Sequence, residues 1–163
     1  MTVIHATRHP AGANWLRTHR RSIIAWIALY LGAASLVVSG IDHIQQYYVN
    51  DYRTIPTIGP LFLLNFVTAV VVAIGLIAPI GRIAGRYADA IRAVLAVAGI
   101  GIAVVSLGAL FVSESSGLFG FTENGYREAI VVAIASEVAA AVFLVVYLVA
   151  SGAGLRTTRR RHG

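Results

Sequence analysis

Residues 41–60 read IDHIQQYYVNDYRTIPTIGP. This polar, tyrosine-rich stretch separates two apolar runs, 22–41 and 58–80, and two more follow at 90–113 and 129–151. Each run holds about twenty residues or more, enough for a helix to cross a hydrocarbon core of about 30 Å. A membrane barrel would need many short segments of alternating polarity, whereas these runs are continuous. The sequence therefore predicts an all-α fold, a four-helix transmembrane bundle. Short connections such as GRIAGRYAD (81–89) force neighbouring helices antiparallel, which gives an up-down-up-down arrangement.

Composition agrees. Of 163 residues, 58% are hydrophobic and 12% charged, with mean hydropathy +0.77. A soluble domain carries roughly 25% charged residues, so much of this surface faces something other than water. The absence of cysteine removes disulfides, thiol catalysis and thiolate metal sites, and leaves the redox compartment unread. All 13 basic residues are arginine. Arg8, Arg17, Arg20 and Arg21 precede the first run; Arg82, Arg86 and Arg92 lie between or beside the second and third; Arg156, Arg159, Arg160 and Arg161 follow the fourth. Only Arg53 and Arg127 fall on the other side, beside Asp42, Asp51, Glu114, Glu123 and Glu128. This asymmetry predicts a multi-pass protein of the cytoplasmic membrane with both termini in the cytoplasm. It also makes Arg20, Arg21, Arg82, Arg86, Arg159, Arg160 and Arg161 topology anchors that attract anionic headgroups on the cytoplasmic side, rather than a nucleic-acid surface.

The expected organisation is a basic tail (1–21), the bundle (22–151) and a second basic tail (152–163). The first run follows paired arginines as an export signal would. However, it is nearer twenty residues than the 7–15 of a signal core, so a retained anchor is expected. Pro56 disfavours helix at Ile55, Thr57 is a candidate cap, and Pro60 suits the first turn of the second span. The 114–128 loop carries an Asn124-Gly125 turn and Phe119, Phe121 and Tyr126, rings suited to the headgroup layer. Small residues recur at helical spacing: Asn65, Ala69 and Ala73; Ala96, Gly99, Ala103 and Ser106; Ala129, Ala133, Ser136 and Ala140. They read as inward packing faces, because close approach matters more than apolar burial between helices in lipid. Gly99 and Gly101 lie inside an apolar helix with no preceding strand, which excludes a nucleotide loop.

The candidate site is polar. Glu137 lies nine residues into the fourth run from Glu128, about 13 Å down a helix and so near mid-bilayer. An ionisable group there is costly to insert and should face the bundle, where Asn65, at comparable depth, could hydrogen-bond it. Ser35, Ser39, Asp42, His43 and Gln46 recur every three or four residues on one face of the first span. Ser106 sits toward the same end of the third. The inner halves of spans two and four, 70–77 and 142–149, are nearly all aliphatic, and Tyr147 is their one polar side chain. These positions suggest a polar cleft open to the outside, lined by Glu137, Asn65, Ser39, Asp42, His43 and Ser106 and roofed by Tyr47, Tyr48 and Tyr52. Plainer readings compete: Glu137 as a helix clamp, His43 as an interfacial residue, and the tyrosines as an aromatic belt.

Several chemistries are set aside. Only His43 lies near the bundle, too few histidines for haem or a di-iron centre, and His5 with His9 has no third ligand. Serine hydrolysis would need a Ser–His pair at one depth; Ser39 and His43 are geometrically possible, but no activating turn is visible. No cofactor and no enzyme activity are expected.

The stretch DHIQQYYVNDYRTIPTIGPLFLLNF resembles a motif of small uncharacterised bacterial four-span membrane proteins. It has a histidine near the end of the first helix, then a Y-R-x-I-P-x-I-G-x-L-F-x-L-N start to the second. Here those positions are Tyr52, Arg53, Ile55, Pro56, Ile58, Gly59, Leu61, Phe62, Leu64 and Asn65. The resemblance covers about a sixth of the chain; it implies the four-helix fold and no particular activity. The four-span proton-coupled multidrug exporters are similar only in helix number. The functional expectation is a non-enzymatic accessory or binding subunit that holds a lipid headgroup, a small molecule or a partner helix. The alternative is a small dimeric proton-coupled transporter using Glu137.

Overall fold

The computed structural model describes residues 11–116 and 128–152, and all regular structure among them is helical. Helix α1 spans Ala11–Val49, α2 Ile58–Ile77, α3 Ile80–Ala84, α4 Ala88–Ser116 and α5 Glu128–Ser151, with single 3-10 turns at Tyr52–Thr54 and Gly85–Tyr87. Four stretches are long and apolar enough to cross a membrane: His19–Val49, Ile58–Ile77, Ile80–Ser113 and Ile130–Ser151. The protein is thus a four-span helical bundle. The 114–128 loop aromatics and Arg159, Arg160 and Arg161 lie outside the described residues.

Helix α1 is longer than its apolar run. It continues through 42–49, so the first half of the polar stretch is helix rather than loop. No glycine or proline interrupts those residues, and Ser39, Asp42, His43 and Gln46 all turn inward on one face. At 39 residues the helix is about 58 Å long. Helix α2 stops at Ile77, short of residue 80, because Pro79 pushes Ala78 out of the helical region to φ −58°, ψ 152°.

The connection between α1 and α2 is tightly built. Asp51 takes a left-handed conformation (φ 55°), which aspartate tolerates better than most residues. Thr54 Oγ1 donates to its carbonyl at 2.8 Å. Arg53 pairs with Asp51 at 3.2 Å, both well exposed, so the pair adds little stability. Ile55 is extended before Pro56, as expected. Thr57 does occupy the N-cap position, but its hydroxyl caps nothing: at φ 71° only its carbonyl, accepting from Leu61 N–H at 3.2 Å, joins the helix. Gly59 then lies against the 3-10 turn. A β-carbon there would sit 2.8 Å from the Tyr52 carbonyl oxygen and 2.9 Å from Arg53 Cα, both backbone atoms that cannot swing aside.

Helix α1 packs against α2 and α5, and α4 against α5 and α2. The small-residue stripes do face inward. Ala69, Ala73, Ala96, Gly99, Ala103, Ser136 and Ala140 are buried, while Asn65, Ser106 and Ala133 are half-buried. At Gly99 a β-carbon would lie 2.7 Å from Leu144 Cδ1 and 3.0 Å from Leu36 Cδ1, so α4, α5 and α1 meet closely at this point. Leu29, Leu36, Leu76, Leu144 and Tyr147 fill the core around these positions. Outward positions such as Val71, Val94, Val97 and Val149 are exposed aliphatics. Arg20, Arg21, Arg82 and Arg86 are exposed, and Arg92 lies 5.1 Å over the Trp26 ring of α1.

Gly59→Ala is expected to lower stability by about 1–3 kcal/mol, the usual range for overpacking. Gly108→Ala, with open space around its Cβ position, should be neutral or mildly stabilising. Thermal unfolding of the purified protein in detergent checks both.

Candidate functional site

Four segments converge at the end of the bundle that carries the 50–57 connection. The last turns of α1 meet the first turns of α2, the last turns of α4 and the first turns of α5 around a cavity of about 660 Å³. Helix α1 contributes Asp42, His43 and Gln46; α5 contributes Ile130, Ala133 and Glu137. The side walls are Leu61, Phe62, Leu64, Asn65 and Thr68 of α2, and Gly101 to Ser113 of α4. Leu61, Leu64 and Val105 on these walls are 41%, 56% and 73% exposed, so the cavity opens on the flank of the bundle, between α2 and α4. It is mostly apolar, with its charged and titratable side chains Asp42, His43 and Glu137 on the α1–α5 side and Asn65, Thr68, Ser106 and Ser113 on the other walls.

Glu137 is the most deeply buried of those groups, at 1% exposed. Its Oε1 accepts a hydrogen bond from Ser39 Oγ at 3.3 Å, across the α1–α5 contact. The same oxygen lies 3.8 Å from His43 Nε2. The histidine is fixed on both sides. Its Nδ1 lies 2.8 Å from the Ser39 carbonyl oxygen, which can only accept, so Nδ1 carries a proton. Its Nε2 lies 3.2 Å from Ser106 Oγ of α4. In neutral His43 this nitrogen accepts from the serine hydroxyl; in the imidazolium it donates and faces the Glu137 carboxylate. One proton thus separates a neutral acid–imidazole pair from an ion pair within a single hydrogen-bonded cluster.

A second chain runs toward the loop. Asn50 Nδ2 donates to Gln46 Oε1, and the Gln46 side chain hydrogen-bonds Asp42. The free end of Gln46 is its amide nitrogen, so the direction is Asn50 to Gln46 to Asp42. Thr68 Oγ1 is turned back onto the Leu64 carbonyl at 2.7 Å, and Ser136 Oγ onto the Ala133 carbonyl at 3.0 Å. Neither hydroxyl bridges helices.

Two sequence expectations are corrected. Asn65 lines the cavity, but the bonds found at Glu137 come from Ser39 of α1 and Ser106 of α4, and Asn65 Oδ1 is buried with no hydrogen-bond partner. Residues on a helix share depth at many rotations, and the Ser39 face of α1 is the nearer neighbour of α5. Tyr47 and Tyr48 do not roof the cavity. They pack edge-to-face on each other, centroids 4.9 Å apart, and Tyr48 is exposed. The reason is the continuation of α1, which carries them past the opening. Tyr52 alone of the three reaches the wall, packing edge-to-face on Phe62 with centroids 4.9 Å apart. Phe62 also packs on His43 at 5.0 Å and joins the site without having been singled out from the sequence. Its spacing of three from Asn65 was the available signal. Ser39 stands behind Glu137 rather than on the wall.

Among the described residues no three His, Cys, Asp or Glu side chains converge as a metal site. Ser106 and His43 have the contact of a nucleophile and base. However, Ser106 lies inside α4, where backbone N–H groups are bonded within the helix and offer no adjacent main-chain oxyanion donors. Comparison of the chain with protein-family models, curated proteins and solved structures finds no match.

The Ser39–Glu137 contact is expected to show as coupling of about 0.5–3 kcal/mol in a double-mutant cycle of Ser39→Ala and Glu137→Leu. Glu137→Leu with Tyr147→Phe should give none, and chemical unfolding in mixed micelles supplies the four free energies. Glu137→Gln retains an acceptor for Ser39 and should cost about 1 kcal/mol or less.

Proposed function

We propose that this is a non-enzymatic binding or accessory protein of the cytoplasmic membrane, whose cleft takes the polar end of an amphiphile entering sideways from the lipid. The observation that carries this reading is the shape of the cavity. It is an apolar slot, open on the flank between two spanning helices, with a fixed hydrogen-bonding cluster at its back. Pockets of about 300–1,000 Å³ with a few placed polar groups are typical small-ligand sites. The flank of a spanning bundle faces acyl chains, so an apolar chain can enter without crossing water. In this reading both termini are cytoplasmic, the spans run up-down-up-down, and the cleft belongs to the outer leaflet. Arg20, Arg21, Arg82 and Arg86 then meet the anionic inner headgroups, as their exposure and the arginine asymmetry support. A partner helix or a second copy seated in the slot would use the same opening.

Transport through Glu137 has less support. Below the cluster the buried core is Leu29, Ala33, Leu36, Leu76, Ala96 and Leu144, all apolar, with the half-buried Ser35 one turn below Ser39.

Ala109→Phe, which fills the slot from the α4 wall, is expected to remove copurifying amphiphile, as read by lipid mass spectrometry, without lowering thermal stability. Val149→Phe, at a 77% exposed position outside the cleft, should leave it in place. Equal amphiphile content in both variants contradicts the reading. Reporter fusions at Thr54 and Arg86 are expected to report opposite compartments, with Arg86 cytoplasmic.

A further inference from the structure

The hydrogen-bond polarity of the cleft limits what can bind it, and this step rests on the binding reading above. Among the described cavity-lining residues the charged or titratable groups are Asp42, His43, Tyr52 and Glu137, with no arginine, and the chain has no lysine. Four nearby donors are committed: Ser39 Oγ to Glu137, His43 Nδ1 to a backbone carbonyl, the Gln46 amide to Asp42, and Thr68 Oγ1 to its own helix. The lining also holds the Asn65 amide nitrogen and the Ser106, Ser113 and Tyr52 hydroxyls. Asp42 and Glu137 each carry two carboxyl oxygens, and Asn65 Oδ1 is buried without any partner. An unpartnered buried acceptor is unfavourable in the empty protein and becomes favourable once a donor reaches it.

We infer that the cleft selects an amphiphile whose head is a hydrogen-bond donor, a hydroxyl or a protonated amine, on an apolar chain lying between α2 and α4. A phosphate or carboxylate head would meet two carboxyl groups with no guanidinium or ammonium among the described lining residues to receive it. An ether or ester head would leave Asn65 Oδ1 as unsatisfied as before. The α4 wall from Gly101 to Ser113 is about 18 Å long at 1.5 Å per residue, room for a long extended chain beside the helix. Replacing Asn65 by leucine removes the orphaned oxygen while keeping similar volume. The empty protein should therefore gain stability while head-group selection is lost, a separation that a merely structural asparagine would not give.

The test is native mass spectrometry of the full-length protein against four sixteen-carbon probes: hexadecanol, hexadecylamine, hexadecyl methyl ether and palmitate. Expected is at least a tenfold preference for the alcohol or the amine over both the ether and palmitate. The better of the two identifies a neutral or a cationic head. In Asn65→Leu the preference for the alcohol over the ether should fall to within about twofold, with an unchanged or raised melting temperature. Asp42→Asn should weaken the amine selectively. If the ether or palmitate binds as tightly as both donors, the head-group inference is overturned while the amphiphile cleft stands. If none of the four binds, both fall.

Discussion

The structure is organised around one buried carboxyl group. Glu137 is 1% exposed inside a helix that otherwise suits lipid. A carboxyl group in that position is tolerated only with hydrogen-bonding partners. Ser39 supplies one, which brings α1 against α5. Holding Ser39 and His43 in register requires α1 to stay helical past the apolar run that ends at Ile41. Continuing α1 in turn aligns Asp42 and Gln46 beside His43 and places the connection to α2 beyond Val49. The chain then folds back over a 3-10 turn close enough to α2 that only glycine fits at position 59.

The two ends of the bundle follow different rules. Around Leu36, Leu76, Leu144 and Gly99 the helices approach through small residues, and dispersion rather than the hydrophobic effect holds them in lipid. At the other end the same helices are joined by directional bonds on the α1–α5 side. The α2–α4 side there has mostly apolar walls, with Asn65, Thr68, Ser106 and Ser113 set among them. A slot remains where packing is not closed, and its polar back wall is the candidate site. The Ser39–Glu137–His43–Ser106 cluster touches three helices, so a change of one proton or one ligand contact within it is felt by α1, α4 and α5 together.

Much of this was legible in the sequence. Continuous apolar runs set the number of spans, and the spacing of Ala69, Ala73, Ala96, Gly99, Ala103 and Ala140 marked the packed faces because helical periodicity is local. The buried face of α1 was legible for the same reason. Pairings between helices were less accessible. Depth along a span is readable from residue counts, but rotation is not, so equal depth points Asn65 at Glu137 where Ser39 holds it. A polar stretch that ended the helix would set Tyr47 and Tyr48 over the cleft. Here the polar residues are instead the buried stripe of a continuing one. The side opening depends on which pair of helices packs least closely, a tertiary property that no single segment encodes.

The account rests on a cleft that communicates with lipid chains rather than with bulk water. The chain has no cysteine, so one nitroxide attached at Ile102→Cys, on the α4 wall, reports cleanly on its surroundings in liposomes. Collision with molecular oxygen, which partitions into lipid, should be frequent there. Collision with a water-soluble nickel chelate should be far rarer than at a Thr54→Cys reference in the exposed connection. Nickel contact at Ile102 equal to that at Thr54 would show a water-filled mouth and contradict the side-entry account.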